Sequence, residues 1–295
     1  MSIDDVRAAA QRIAGQVVRT PLLPAPWAGD LWLKPESLQP IGAFKLRGAL
    51  NAFALLDPEA RARGVVTHSS GNHAQAVAWA ARAYGVPAVI VMPDSSPAIK
   101  IEATRALGAE VVLVPPVERE SRAEKLRAER GLAVVLPFDQ REVIAGQGTV
   151  GLEIAEDMPD VDTVLVPVGG GGLISGVALA VKALAPRARV VAAEPELAGD
   201  VAESFARGQR VAWDAELTYR TVADGVRTTL VGELTWPHIE AYVDEVVTIS
   251  EEAILAATTL LARRSRLVAE PSGALSTAAY LTDPDRFGRS VAVLS

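Results

Sequence analysis

Ser69-Ser70-Gly71-Asn72-His73-Ala74-Gln75 follows a short apolar run at residues 65–67 and opens an alanine-rich run with helical spacing at residues 74–84. The same alternation continues along most of the chain, with further apolar runs at residues 88–92, 111–114, 133–136, 163–166 and 190–193. These runs are continuous, as in strands buried on both faces, and strands separated by helices are usually parallel. The sequence therefore predicts an α/β fold with doubly wound parallel sheets.

Composition limits the classes of function that the chain can have. Its 295 residues, 49% of them hydrophobic, can bury one large core or two modest ones. A formal net charge of −7 argues against a nucleic-acid or anionic-membrane partner. The absence of cysteine excludes disulfides and thiol catalysis. Acidic residues near the start and the lack of a long uncharged stretch favour a cytoplasmic protein without a signal peptide or membrane span.

Lys45 occupies an unusual position for a charged side chain. On a helix that begins near Gly42, it shares a face with the apolar residues Ala49, Ala52, Phe53 and Leu56. A lysine that points inward from such a face must lose its charge or find a partner. One resolution is a Schiff base with a carbonyl cofactor. The alternative is a lysine whose stem lies on the core while its ammonium reaches water.

Two turns between a strand and a helix could bind anions through backbone amides. One contains four consecutive glycines at residues 169–172 and lacks both the P-loop and the dinucleotide signatures, so a compact phosphate fits it better than a nucleotide. The other, residues 69–73, offers helix amides to a carboxylate. A flexible tight turn and an ordinary helix cap are the respective alternatives. Together with Lys45, these turns point to pyridoxal 5′-phosphate.

Several motifs in this order resemble the serine/threonine dehydratase and serine racemase family, which belongs to the fold type II pyridoxal-phosphate enzymes. They are Lys34-Pro35-Glu36-Ser37-Leu38-Gln39, residues 42–49, 69–75, 144–149 and 169–172, Ala223-Asp224-Gly225-Val226, and Glu270-Pro271-Ser272-Gly273-Ala274. The match runs from about Arg19 to the last residue. It implies two doubly wound parallel-sheet domains of the tryptophan synthase β type: a large cofactor-binding domain (1–63 and 142–295) and a small substrate-clamping domain (64–141).

The resemblance also implies roles for individual residues. Lys45 would bind the cofactor covalently and then remove the α proton of the substrate, and Ser70 would be the second catalytic residue. The implied cofactor contacts are Phe44, Lys45, Asn72, Gly169, Gly170, Gly171, Gly172, Leu173, Gly225 and Ser295, the last beside the ring nitrogen. The implied substrate contacts are Ser69, Asn72, His73, Arg122 and Thr228.

The activity that the resemblance implies is that of an ammonia-lyase converting L-serine, L-threonine or a related 3-hydroxy amino acid, such as 3-hydroxyaspartate, to a 2-oxo acid and ammonia. The alternative is a serine or aspartate racemase with side elimination, because Ser70 matches the serine that handles a proton opposite the lysine in racemase relatives. A β-replacement enzyme is less favoured, since its relatives carry threonine in place of His73 and a different phosphate loop. A non-enzymatic binding module would leave Lys45 idle.

The resemblance further implies a divalent metal, magnesium or else calcium or manganese, held by Glu194, the carbonyl of Ala198, and Asp200. Hard oxygen ligands suit these ions, although the residues alone fit a solvated loop better. A second substrate carboxylate would need a cation, for which Arg47, Arg122 and Arg227 are candidates. Relatives are commonly dimers, so a homodimer is expected. No regulatory domain is expected after the catalytic core.

Overall fold

The computed structural model describes residues 1–69 and 71–295, and over these residues the chain forms two β-sheets with helices packed on both faces. The strands are β1 (Leu23–Pro24), β2 (Leu31–Pro35), β3 (Val65–His68), β4 (Ala88–Pro93), β5 (Glu110–Val114), β6 (Ala133–Val134), β7 (Thr163–Pro167), β8 (Arg189–Pro195), β9 (Glu245–Ile249) and β10 (Ser290–Leu294). The helices are α1 (Ile3–Ile13), α2 (Lys45–Leu55), α3 (Pro58–Arg63), α4 (Asn72–Tyr84), α5 (Ala98–Ala106), α6 (Arg119–Arg130), α7 (Arg141–Asp157), α8 (Gly172–Leu184), α9 (Asp200–Arg207), α10 (Ala215–Thr218), α11 (Trp236–Tyr242), α12 (Glu251–Leu260) and α13 (Pro271–Thr282).

The strand order confirms the predicted fold class. The larger sheet has the order β1-β2-β10-β7-β8-β9 and is parallel except for the antiparallel pair β1 and β2. The smaller sheet has the order β5-β4-β3-β6 and is parallel throughout. Every residue of β7 and of β10 is buried, as expected for strands covered by helices on both faces.

The strands of the smaller sheet lie between residues 65 and 134, and those of the larger sheet lie before and after them. The domain boundaries themselves stay a prediction. Helix α2 lies in the predicted large domain, yet its residues Leu46, Leu50 and Phe53 share one apolar cluster with Val77 of α4. Helix α2 therefore packs against the elements of both sheets.

Two local predictions differ from the structure. The helix that carries Lys45 begins at Lys45 itself and not near Gly42, because Gly42 has a φ of +75°, which a right-handed helix does not allow. The predicted strand at residues 133–136 is ordered as a strand only over residues 133–134. Val135 still donates its backbone amide to the carbonyl oxygen of Val66 at 3.2 Å, so the chain leaves β3 only after this residue.

Helices α7 and α8 approach closely because glycines face each other across their contact. A Cβ on Gly151 would lie 2.6 Å from the carbonyl oxygen of Val177, and one on Gly148 would lie 3.0 Å from that of Gly176. A Cβ on Gly176 would overlap the carbonyl oxygen of Ile144. This contact places the start of α8, and the glycine loop before it, close to α7.

A network of fully paired charges is buried beneath α2. Arg47 donates to Glu36 (Nε to Oε2, 2.7 Å) and to Glu153 (Nη1 to Oε1, 2.6 Å), and Lys34 donates to Glu153 (Nζ to Oε2, 2.6 Å). Arg47, Glu36 and Lys34 are 0% exposed. Although burial opposes it, the charge of Arg47 holds the pKa of Glu36 below its usual value. Since Arg47 is two residues from Lys45, the network fixes the start of α2.

No helix among the described residues is long and apolar enough to cross a membrane.

We expect Gly176→Ala to lower the free energy of unfolding by about 1–3 kcal/mol, because the added methyl group would collide with the backbone of α7. This loss should appear although alanine is the better helix former by about 1 kcal/mol. Urea denaturation of both proteins measures the difference. Ala183→Gly, at an exposed position of the same helix, serves as the control for helix propensity. Unchanged or increased stability of Gly176→Ala would contradict the close approach.

Candidate active site

A cavity of about 520 Å³ lies where the carboxyl ends of strands from both sheets meet. This volume is in the usual range for a small-molecule site. His68 borders it as the last residue of β3, Ser69 directly after that strand, Gly169 after β7, and Ser295 after β10. Ligands of open α/β sheets bind at this edge, because loops and helix N-termini converge there.

Lys45 lies in the wall of this cavity at the first position of α2. Its Nζ donates to the carbonyl oxygen of Pro137 at 2.7 Å and lies 5.1 Å from the centre of the Phe44 ring. Burial lowers the pKa of Lys45 to about 8, and the charge of Glu270 opposes this shift. A substantial fraction of the amine is therefore neutral near physiological pH, as a nucleophile requires.

The predicted phosphate loop is tightly packed, in contrast to a flexible turn. Gly171 has a φ of +92°, and its added Cβ would lie 2.7 Å from Oγ1 of Thr235. A Cβ on Gly172 would lie 2.9 Å from Cβ of Phe138. Oγ1 of Thr235 also donates to the carbonyl oxygen of Gly170 at 2.7 Å. The loop is therefore held rigidly at the N-terminus of α8, where unpaired backbone amides can receive a phosphate.

The other predicted cofactor contacts also lie on this cavity. Nδ2 of Asn72 donates to Oε1 of Glu270 at 2.7 Å, and the backbone amide of Gly225 donates to Oγ of Ser272 at 2.8 Å. Phe44 and Leu173 line the cavity as well. Ser295 is 7% exposed and directly follows β10, so it is a buried wall residue and not a frayed end.

The N-terminus of α4 faces the same cavity and carries the predicted carboxylate contacts. Ser69 accepts a hydrogen bond from the backbone amide of Gly71 at 3.2 Å, and both residues line the cavity together with Asn72 and His73. Ser70 lies outside the described residues. The free amides at the start of α4 can donate to a carboxylate, and the field of the helix favours the negative charge.

The side chain of His73 cannot be one of those donors. Burial and the charge of Lys45 lower its pKa to about 3, so the ring is neutral. Its Nε2 lies 3.0 Å from the carbonyl oxygen of Val135, which accepts and cannot donate, so the single N–H of the ring is on Nε2. Nδ1 is then an acceptor, and it has no partner among the described residues. Any contact of His73 with a substrate carboxylate must therefore use its backbone amide.

Arg122 does not line the cavity, whereas Arg119 and Glu120 on the same helix do. Arg119 is the first residue of α6 and follows the turn Pro116–Glu118. The double proline at residues 115–116 directly follows β5, so it marks the turn between β5 and α6. This signal could have indicated that Arg119, the arginine nearest this turn, lies at the carboxyl edge of the sheet. Lys100 also lines the cavity, where it forms an ion pair with Asp224. The sequence reasoning assigned no role to these residues.

The remaining predicted arginines are engaged elsewhere. Arg47 is part of the buried network under α2. Arg227 donates to the carbonyl oxygen of Thr221 through Nε at 3.1 Å and Nη2 at 2.6 Å, and its guanidinium lies 5.5 Å from the centre of the Tyr219 ring. Arg119, in contrast, has only a distant acidic partner, since its Nη2 lies 3.9 Å from Oε1 of Glu120. Its guanidinium is therefore available to a ligand in the cavity.

The predicted metal ligands form a second acidic site beyond β8. Glu194 and Asp200 are both 0% exposed, and neither oxygen of the Asp200 carboxylate has a hydrogen-bond partner among the described residues. Burial raises the pKa of Asp200 to about 7, and burial together with the charge of Asp200 raises that of Glu194. Two buried carboxylates without a cation are unfavourable, so this donor set fits a hard divalent ion. No group of three His, Cys, Asp or Glu residues with metal-site geometry occurs in the described part of the chain.

Thr228 connects the two sites. It lines the cavity, while its hydroxyl group faces the carboxylate of Asp200. Burial raises the pKa of Asp200, and the Thr228 hydroxyl has a smaller, lowering effect on it. Its Oγ1 is buried and makes no hydrogen bond of good geometry within residues 1–69 and 71–295. The position favours a role beside Asp200 over the predicted contact with substrate.

Comparison with known proteins shows which family the chain is similar to. The family described as pyridoxal-phosphate dependent enzymes matches residues 13–295. The chain is 43% identical to a serine racemase of Oryza sativa subsp. indica, over 95% of this chain and 84% of the relative. It is 40% identical to an L-threo-3-hydroxyaspartate ammonia-lyase of Saccharomyces cerevisiae, over 98% of this chain and 90% of the relative.

The fold is also closely similar to that of a solved structure. The crystal structure of a T.th. threonine deaminase has a TM-score of 0.94 and 44% sequence identity, and the match covers 99% of this chain and 96% of the other. The resemblance predicted from the sequence motifs is confirmed. The chain therefore belongs to the pyridoxal-phosphate dependent enzymes, within the group of serine/threonine dehydratases and serine racemases.

Proposed function

We propose that the protein is an ammonia-lyase that converts L-serine, L-threonine or a related 3-hydroxy amino acid to a 2-oxo acid and ammonia, with pyridoxal 5′-phosphate on Lys45. The observation that carries this proposal is the amine of Lys45 in the cavity wall with a pKa of about 8. The bound cofactor supplies an electron sink for the α carbon of the substrate. Lys45, once released from the cofactor, would be the base that removes the α proton.

The surrounding residues support positioning of both molecules. Gly169, Gly170, Gly171, Gly172 and Leu173 would hold the phosphate at the N-terminus of α8, with Phe44, Gly225 and Ser295 around the ring. The amides of Asn72 and His73 would hold the substrate carboxylate at the N-terminus of α4, beside Ser69. Because α4 packs on the smaller sheet, we further propose that residues 64–141 close on the substrate and exclude water.

Arg119 replaces Arg122 in this proposal as the arginine that contacts substrate. It lines the cavity from the first turn of α6, on the same side as α4. A dicarboxylic substrate such as 3-hydroxyaspartate would need an additional cation, and Arg47 and Arg227 are both engaged elsewhere. Arg119 can therefore serve either carboxylate.

Racemisation is the second candidate function, because the chain is 43% identical to a protein named serine racemase. Ser70 stays the predicted acid or base for it. Magnesium, or calcium or manganese, is proposed at Glu194, Ala198 and Asp200, where the buried carboxylate of Asp200 supports a cation. A cytoplasmic location, a homodimer and the lack of a nucleic-acid partner stay predictions from the sequence.

Lys45→Ala should abolish both the visible absorbance of the bound cofactor and turnover, because the other lysine of the cavity lining, Lys100, is held in an ion pair with Asp224. The assay incubates protein with pyridoxal phosphate, magnesium and L-serine in deuterated water, and proton NMR follows pyruvate and deuterium at the α carbon. Lys182→Ala, a lysine outside the cavity that pairs with Asp244, is the control and should keep both signals. Pyruvate without exchange into D-serine supports the lyase, whereas D-serine supports the racemase. Equal turnover by Lys45→Ala would contradict the proposal.

Arg119→Ala should lower kcat/KM by about 10- to 100-fold, mainly through KM, because a charge-assisted hydrogen bond to a carboxylate contributes about 1.5–3 kcal/mol. Arg122→Ala, three residues away on the same helix but outside the cavity lining, is the matched control and should behave like the unaltered enzyme. Steady-state kinetics with L-serine, L-threonine and 3-hydroxyaspartate compares the variants. If Arg122→Ala shows the larger loss, the original prediction from the sequence is the correct one.

Asp200→Asn should remove any stabilisation of the protein by divalent metal. A ligand at about 100 times its Kd stabilises by about 2.7 kcal/mol, so magnesium, calcium or manganese should raise the Tm of the unaltered protein measurably. Glu196→Gln, an exposed carboxylate in the same segment, controls for loss of charge and should keep the metal response. A Tm that is indifferent to all three metals and to chelator would show that the site binds none of them.

A further inference from the structure

We propose that Glu270 is a positioning residue of the active site, which orients the amide of Asn72 through a hydrogen bond and favours the charged form of Lys45 through its own negative charge. This inference rests on the proposed function, because it concerns how the cavity prepares Lys45 and Asn72 for the cofactor. Glu270 and Lys45 line the same cavity, and among the described residues Glu270 both accepts a hydrogen bond from Asn72 and acts on Lys45 through its charge.

The geometry begins with the hydrogen bond. Glu270 immediately precedes α13, and its Oε1 accepts from Nδ2 of Asn72 at 2.7 Å. The side chain makes no hydrogen bond to the start of its own helix, so it does not act as a cap. Oε1 lies only 3.3 Å from the place that a Cβ on Gly225 would occupy, so Gly225 leaves room for the carboxylate. The bond joins α4, on the smaller sheet, to α13, on the larger.

A carboxylate partner determines which way the Asn72 amide faces. An ionised carboxylate only accepts hydrogen bonds, so Asn72 must turn its NH2 group toward Glu270. One N–H is used in that bond, which leaves the second N–H and the carbonyl oxygen for the cavity. A glutamine at position 270 could pair with either face of the amide. Only the carboxylate therefore selects one orientation of the residue that is predicted to contact the cofactor ring.

Three charged residues and one amide act on Glu270. The charges are Lys45 of α2, Lys100 of α5 and Asp224, and the amide is that of Asn72 of α4. Burial and the charge of Asp224 raise the pKa of Glu270, while Asn72, Lys100 and Lys45 act in the opposite direction. Lys100 forms an ion pair with Asp224, and its positive charge acts on Glu270 in the direction opposite to that of Asp224.

Among the described residues, Glu270 is the acidic group whose charge acts on Lys45. Burial lowers the pKa of Lys45 to about 8, and Glu270 opposes that shift. His73 also lies near Lys45, but its ring is neutral. Removing the charge of Glu270 should therefore lower the pKa of Lys45 further, since the ammonium would lose its favourable partner and keep the cost of burial. The neutral amine would then dominate at a lower pH.

The rate at which cofactor attaches to Lys45 reads out this pKa directly, because only the neutral amine attacks an aldehyde. Cofactor-depleted protein is mixed with pyridoxal phosphate from about pH 6 to 9, and the gain of visible absorbance is followed in time. We expect the midpoint of the rate profile to move down by about half a unit or more in Glu270→Gln. Glu270→Asp keeps the charge and should leave the midpoint near that of the unaltered protein.

Asp224→Asn is the matched control, since it also removes one negative charge from the cavity wall but leaves Glu270 in place. Its midpoint should stay closer to that of the unaltered protein than the midpoint of Glu270→Gln. Equal midpoints for Glu270→Gln and the unaltered protein would overturn the electrostatic part of the inference. Equal shifts in Glu270→Gln and Asp224→Asn would overturn the specific role of Glu270. Glu270→Ala, which also removes the charge, provides the same comparison should circular dichroism reveal that Glu270→Gln does not fold.

The hydrogen bond is tested by a double-mutant cycle on cofactor affinity with Asn72→Ala, Glu270→Gln and the double variant. If Glu270 acts through Asn72, the double variant should weaken binding by clearly less than the product of the two single fold-changes. A simple product would overturn that part. The unaltered protein and Lys45→Ala separate these outcomes from failure of the proposed function: without a visible band that depends on Lys45, the proposed function itself is wrong.

Discussion

The paired charges of Arg47, Glu36, Glu153 and Lys34 are the constraint on which the rest of the structure depends. Their side chains are removed from water, which is tolerable only when each charge has a partner in good geometry. The network joins β2, α2 and α7 at one point. Because α2 begins two residues before Arg47, the network sets the position of Lys45. Because β2 pairs with β10, the same network also steadies the strand that leads to Ser295.

The cavity combines two helix N-termini with a lysine of lowered pKa. Helices α4 and α8 both direct free amides toward it, so two anionic groups can be bound without two buried cations. This leaves the amine of Lys45 free to lose its proton, as its pKa of about 8 indicates. The glycine loop is positioned in advance for such an anion, because tight packing against Phe138 and Thr235 holds its amides in place.

Much of this arrangement follows from local sequence patterns. Continuous apolar runs predicted the buried parallel strands, and the apolar face around Lys45 indicated a lysine directed inward. The site assignments that the proposal revises depend on distances in space, which the sequence does not display. Arg122 and Arg119 lie on the same charged helix, and only the packing of α6 decides which one reaches the cavity. The side chain of His73 was a plausible donor until its bond to Val135 determined where its proton is.

The sequence by itself determined the class of fold, the lysine and the glycine loop, because burial periodicity and glycine placement are local properties of a chain. Tertiary structure alone decided the charge states and the partners. It places Glu270 in a hydrogen bond with Asn72 and Arg47 in a buried network of paired charges. It also buries the carboxylate of Asp200 beside Glu194. These properties depend on which groups are brought together in a medium of low dielectric constant. Residues such as Asn72 and Glu270, which lie far apart in sequence, acquire their chemistry only when the fold removes the water between them.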